Sequence, residues 1–71
     1  MIRYTYDVEE IYRRLEVFHG ISRATASERL HRIKRSASLP PDFATCFDLT
    51  GNAYSSEGGD WLGSLTVGGA P

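Results

Sequence analysis

The sequence predicts an α+β domain: two N-terminal helices packed on a three-stranded antiparallel β-meander. Three observations carry that prediction. Apolar residues recur at helical spacing in two stretches of the first half of the chain. Turn residues then divide the second half into runs of strand length, and Leu39-Pro40-Pro41 separates the halves where proline cannot continue a helix.

Met1 to Tyr6 alternates apolar and aromatic residues with Arg3 and Thr5, which suits a short edge strand or an extended arm. Asp7 can cap a first helix over about 7–19. Glu10 three residues on completes a capping box, and Tyr6 with Ile11 has the spacing of a hydrophobic staple. Val8, Ile11, Tyr12, Leu15 and Phe18 would form its buried face, and Gly20 would stop it in the left-handed conformation. Ser22 or Thr25 starts a second helix over about 23–37, with Ala26, Leu30, Ile33 and Ala37 as the apolar stripe.

Strands follow at about 44–49, 52–55 and 60–65, joined by Thr50-Gly51-Asn52 and Ser56-Glu57-Gly58-Gly59, whose residue types tolerate positive φ in tight turns. Phe47, Leu49, Tyr54, Trp61, Leu62 and Leu65 supply the apolar and aromatic content of this meander, with Trp61 expected as a core anchor or, failing that, a platform on which a base stacks. In the last strand Trp61, Gly63 and Leu65 should share one face, and Gly63 marks a bulge or the close approach of another backbone. Residues 66–71 read as a Gly-rich flexible tail.

With 71 residues there is room for one small core. A domain of this size buries about 60% of the surface its unfolded chain exposes, so its stability is marginal unless a partner contributes. The single Cys46 can form no internal disulfide and matches no zinc spacing, which points to a reducing compartment and a metal-free fold, and nothing in the sequence asks for a cofactor. Within a strand it reads as a small buried hydrophobe. No apolar run approaches the ~20 residues that cross a bilayer, so no membrane partner is expected.

Charge is distributed unevenly. Residues 22–35 carry Arg23, Arg29, Arg32, Lys34 and Arg35 against Glu28, a balance of +4. Residues 36–71 carry Asp42, Asp48, Glu57 and Asp60 with no Lys or Arg, a balance of −4. A basic helix beside an acidic sheet favours an anionic partner at one end.

The string Asp48-Leu49-Thr50-Gly51-Asn52-Ala53-Tyr54, a glycine turn, and Trp61-Leu62-Gly63-Ser64-Leu65 resembles the end of bacterial polymorphic toxin domains, the C-terminal warheads of contact-dependent and rearrangement-hotspot proteins. The resemblance runs from about residue 27 to 69, beginning at Ser27-Glu28-Arg29-Leu30-His31-Arg32-Ile33-Lys34, and departs from the pattern at Gly58-Gly59-Asp60, where Thr-Gly-Glu is more usual. It implies a barnase-like ribonuclease in which N-terminal helices pack on an antiparallel sheet. It also implies delivery by secretion within a larger protein, action on RNA such as tRNA in the cytoplasm, and a cognate immunity protein as partner.

The residues themselves offer matching chemistry. Metal-independent RNA cleavage needs a base for the ribose 2′-hydroxyl and a cation for the charged phosphorane. His31 can supply the first and Lys34, one turn along the same helix, the second. Tyr54 and Ser64 can donate to a phosphate from the sheet, and Arg23, Arg29, Arg32 and Arg35 can hold the strand. Each has a plainer role: a solvated basic face for the helix residues, packing or hydration for the strand residues. His19 is better explained as a cation at a helix C-terminus, and Asp60 as a turn residue.

Two other functions compete with the ribonuclease. Residues 11–33, with Gly20-Ile21-Ser22-Arg23-Ala24-Thr25, have the outline of a DNA-binding helix-turn-helix. Against it, Glu16 stands where that motif wants a small apolar residue, Arg29 where it wants a core residue, and the chain is acidic overall. The third is a non-catalytic protein-interaction module using the sheet edge or the Trp61 face.

Overall fold

The computed structural model describes residues 3–67, and the expected tail from residue 68 onward lies outside them. Strand β1 (Tyr4–Thr5) is followed by helices α1 (Val8–His19) and α2 (Arg23–Ser36), then by β2 (Cys46–Asp48), β3 (Asn52–Tyr54) and β4 (Trp61–Ser64). The fold is α+β, but the sheet has four strands rather than three, in the order β1-β2-β3-β4 and antiparallel throughout. The extra strand is the N-terminal arm, which pairs Tyr4 with Asp48 and Thr5 with Phe47. Two residues give too short a period to distinguish a strand from an arm in the sequence.

Helix α1 begins as its sequence directs. The Asp7 carboxylate accepts from the Glu9 and Glu10 backbone N–H groups at 3.1 and 3.4 Å. The capping box is only half built, because Glu10 pairs with Arg14 instead of reaching back. Gly20 ends the helix at φ 65°, and the Ile21 N–H donates to the Leu15 carbonyl at 3.1 Å. Ser22 caps α2 by accepting from the Thr25 N–H at 3.2 Å, which settles the choice between the two hydroxyls.

Ile11, Tyr12 and Leu15 of α1 and Ala26 and Leu30 of α2 pack against Phe47, Ala53 and Leu65, so the core lies between the helices and one sheet face. Two expected core positions are not there. Phe18 is 70% exposed, because α1 ends at Gly20 and Ile21 packs against the core past the turn. Ala37 is exposed, because the buried row of α2 advances by fours from Ala26 through Leu30 to Lys34, which is only 8% exposed.

A third correction concerns Trp61, expected inside and found 61% exposed. Ala53 pairs with Gly63, yet the next residue, Tyr54, pairs with Trp61, so Leu62 is an extra residue in the ladder. Such a bulge reverses the face of everything beyond it. Leu62 packs against the core and Trp61 turns away from the helices, while Gly63 lies close beneath Ile33.

Candidate functional site

The exposed side of α2 carries the basic residues singled out in the sequence, but they are not equivalent. The Arg23 guanidinium pairs with Glu9 and lies 4.9 Å from the Tyr12 ring centroid. Its hydrogen bonds hold the Glu9 carboxyl below its usual value. Arg29 is half-buried and donates to the carbonyl of Leu65, just past β4, at 2.8 Å. Arg32 is tied to Glu28 at 2.8 Å one turn back. Lys34 points inward, and its ammonium donates to the Pro41 carbonyl at 2.9 Å. Only His31 and Arg35 are exposed and make no hydrogen bond or ion pair among the described residues.

His31 and Arg35 border two adjoining depressions. One, of about 620 Å³, runs along the helix past Ala24, Ser27, Glu28 and Arg32. The other, of about 260 Å³, lies between the last turn of α2 and the Leu39–Pro41 segment, with Lys34 in its wall. The Arg35 guanidinium thus borders both an open hollow along the face of α2 and a smaller cleft at its end.

The sheet residues expected to complete the site are elsewhere. Gly63 and Ala53 face the helices, so Tyr54 and Ser64, each one residue away along its strand, project from the opposite face. There the Tyr54 hydroxyl donates to Asp48 at 3.1 Å, and the Ser64 hydroxyl lies 2.7 Å from that of Thr66. The structure brings together His31, Lys34, Arg32 and Arg35, and separates them from Tyr54 and Ser64 by the sheet.

What the sequence reading missed is Asp48, a buried carboxylate on that far face. One oxygen accepts from the Thr50 N–H, the Thr50 hydroxyl and the Asn52 N–H at 2.9, 2.7 and 3.1 Å. The other accepts from the Asn52 amide and the Tyr54 hydroxyl at 3.0 and 3.1 Å. Burial alone would raise the Asp48 carboxyl, but the donors of Thr50 and Asn52 outweigh it and hold it at about 2. Burial and the neighbouring Asp48 charge both raise the Tyr54 hydroxyl. A signal was present in the sequence: Asp48, Thr50, Asn52 and Tyr54 alternate at steps of two across a Gly turn, which places polar partners side by side. Cys46 is buried on this side too, and desolvation pushes its thiol up.

The helix-turn-helix outline is also testable against geometry. The turn from Gly20 to Ser22 has the right length, and Ile21 packs inward. Glu16, however, borders an open cleft of about 230 Å³ with Glu9, Tyr12, Arg13 and Arg23, where that motif needs close helix contact.

The fold and its surfaces define a small α+β domain with one basic helix face and one polar, aromatic sheet face. No protein family, curated protein or solved structure matches the chain. Among the described residues no group of three or more His, Cys, Asp and Glu side chains is placed to hold a metal, and no helix is long and apolar enough to cross a membrane.

Proposed function

We propose that this chain binds a single-stranded polyanion, RNA foremost, along the solvent side of α2, as a binding domain rather than through an assembled catalytic centre. The observation that carries this reading is the shared position of His31 and Arg35: both are exposed, unpartnered among the described residues, and border both depressions. Arg35 could supply the cation that cleavage needs beside His31, but general acid–base cleavage also needs a proton donor for the leaving oxygen, and none of the residues expected for that role faces this site. Lys34 is engaged with the Pro41 carbonyl at the wall of the end cleft, and Tyr54 and Ser64 lie across the sheet.

Two phosphate contacts from Arg35 and Arg32 correspond to a salt slope of about −1.4 for a single strand, His31 adding a hydrogen bond. Binding of a labelled single-stranded RNA, followed by fluorescence anisotropy, should weaken roughly tenfold between about 50 and 200 mM salt. Arg35→Ala should remove about 0.7 from the slope. Salt-independent binding, or an unchanged slope in Arg35→Ala, refutes the assignment. Cleavage of total tRNA in chelator, lost in His31→Ala, would instead make this face a ribonuclease site. It would bring with it the toxin reading, in which a cognate immunity protein is the expected partner.

A further inference from the structure

The sheet face turned away from the helices carries a second surface of opposite character. We propose that it docks a basic segment of a protein partner, with an arginine or lysine laid over the Trp61 indole beside Glu57 and Asp60.

The aromatic platform is fixed in place. The Trp61 indole N–H donates to the Asn52 side-chain oxygen at 3.1 Å, and the Asn52 amide is itself held by Asp48 at 3.0 Å. The Tyr54 hydroxyl is bound by the same carboxylate, and the Tyr4 ring meets the Tyr54 ring edge-on with centroids 5.5 Å apart. A large exposed ring already ordered by its neighbours loses little freedom when covered, which is what distinguishes a docking anchor from a mobile surface side chain.

Charge selects the occupant. From residue 36 to residue 67 there is no Lys or Arg, while Glu57 and Asp60 stand exposed in the turn that leads into Trp61. Asp48, ionised and one hydrogen-bonded residue away through Asn52, adds its charge to theirs, so the potential around the indole is negative. A cation over an indole face is attracted by about 0.5–1 kcal/mol at an exposed site, and adjacent carboxylates add to that attraction. A nucleic acid stacking on the same ring would bring phosphates towards Glu57 and Asp60 and be repelled. This surface is separate from the α2 face, so either can fail without the other.

Because Trp61 is the only tryptophan, its emission reports this site alone. Titration with a synthetic Gly-Arg repeat peptide should give a saturable change in Trp61 fluorescence, and a Gly-Gln repeat peptide should give none. The double variant Glu57→Gln/Asp60→Asn, its fold checked by circular dichroism, should weaken the arginine peptide about tenfold. Glu16→Gln, which removes a carboxylate from α1 instead, should leave affinity within about twofold. An equal response to the two peptides, an unchanged affinity in the double variant, or an equal loss in Glu16→Gln overturns the proposal. So does single-stranded RNA that perturbs Trp61 emission at lower concentration than the arginine peptide.

Discussion

Replacing Asp48 by Asn tests how the sheet's outer face is held. The carboxylate accepts five hydrogen bonds, three on one oxygen and two on the other. An amide keeps one acceptor and turns an NH₂ towards the other side, so at least the Asn52 amide bond is lost, with two donors left facing each other, while the Tyr54 hydroxyl must turn from donor to acceptor. The electrostatic part follows from the carboxyl's displacement from 3.8 to about 2. At about 1.36 kcal/mol per pKa unit this is worth about 2 kcal/mol at neutral pH. The folded-state pKa is depressed, so the stabilisation is present above the unfolded value and is lost as pH falls from about 5 through about 2. Urea unfolding of the wild type and Asp48→Asn should therefore differ by about 2–3 kcal/mol at pH 7, and the gap should shrink by about 1 kcal/mol at pH 3. A domain of this length holds roughly 4–10 kcal/mol in total, so the change is readily measured. A gap that is the same at both pH values would show that Asp48 acts through shape alone and would refute the charge-based account.

Three further variants probe the scaffold. Gly20→Ala meets no atom within 4 Å but must hold φ 65°, so thermal unfolding should show a loss of about 1 kcal/mol from backbone strain alone. Gly63→Ala puts a methyl 3.0 Å from Ile33 carbons and should cost about 1–3 kcal/mol, with Ile33→Val in the same background recovering part of it in a double-mutant cycle. Lys34→Met should change stability by no more than about 1 kcal/mol in urea melts and leave RNA affinity and salt slope untouched, because the ammonium is engaged with Pro41 rather than with solvent. A reduced slope in Lys34→Met would return that residue to the binding face.

The helices were legible because their signals are local. Asp7, Gly20 and Ser22 act within a turn of where they stand, and Ile11, Leu15, Ala26 and Leu30 keep the 3.6-residue period over several turns. What escaped detection depends on non-local pairing. Tyr4 and Thr5 become a strand only because β2 is there to receive them, some forty residues on. Trp61 turns outward because of one unpaired residue in β4, a register event that alternation along a single strand cannot show. Lys34 and Ala37 both lie near the end of α2, and which one is buried depends on where the following prolines return the chain. The candidate site divides the same way: the grouping of His31, Arg32 and Arg35 is written in helical spacing, whereas the separation of Tyr54 and Ser64 from it is a property of the sheet's two faces.

The single spare residue in β4 decides between two mutually exclusive ways of facing its side chains. A regular ladder would tuck the indole beneath the helices and leave Leu62 in water; the observed ladder, with one residue to spare, does the reverse. Erasing that irregularity would conceal the chain's single tryptophan without altering any amino acid. In this hairpin residue count, as much as residue type, decides what the molecule shows to its surroundings.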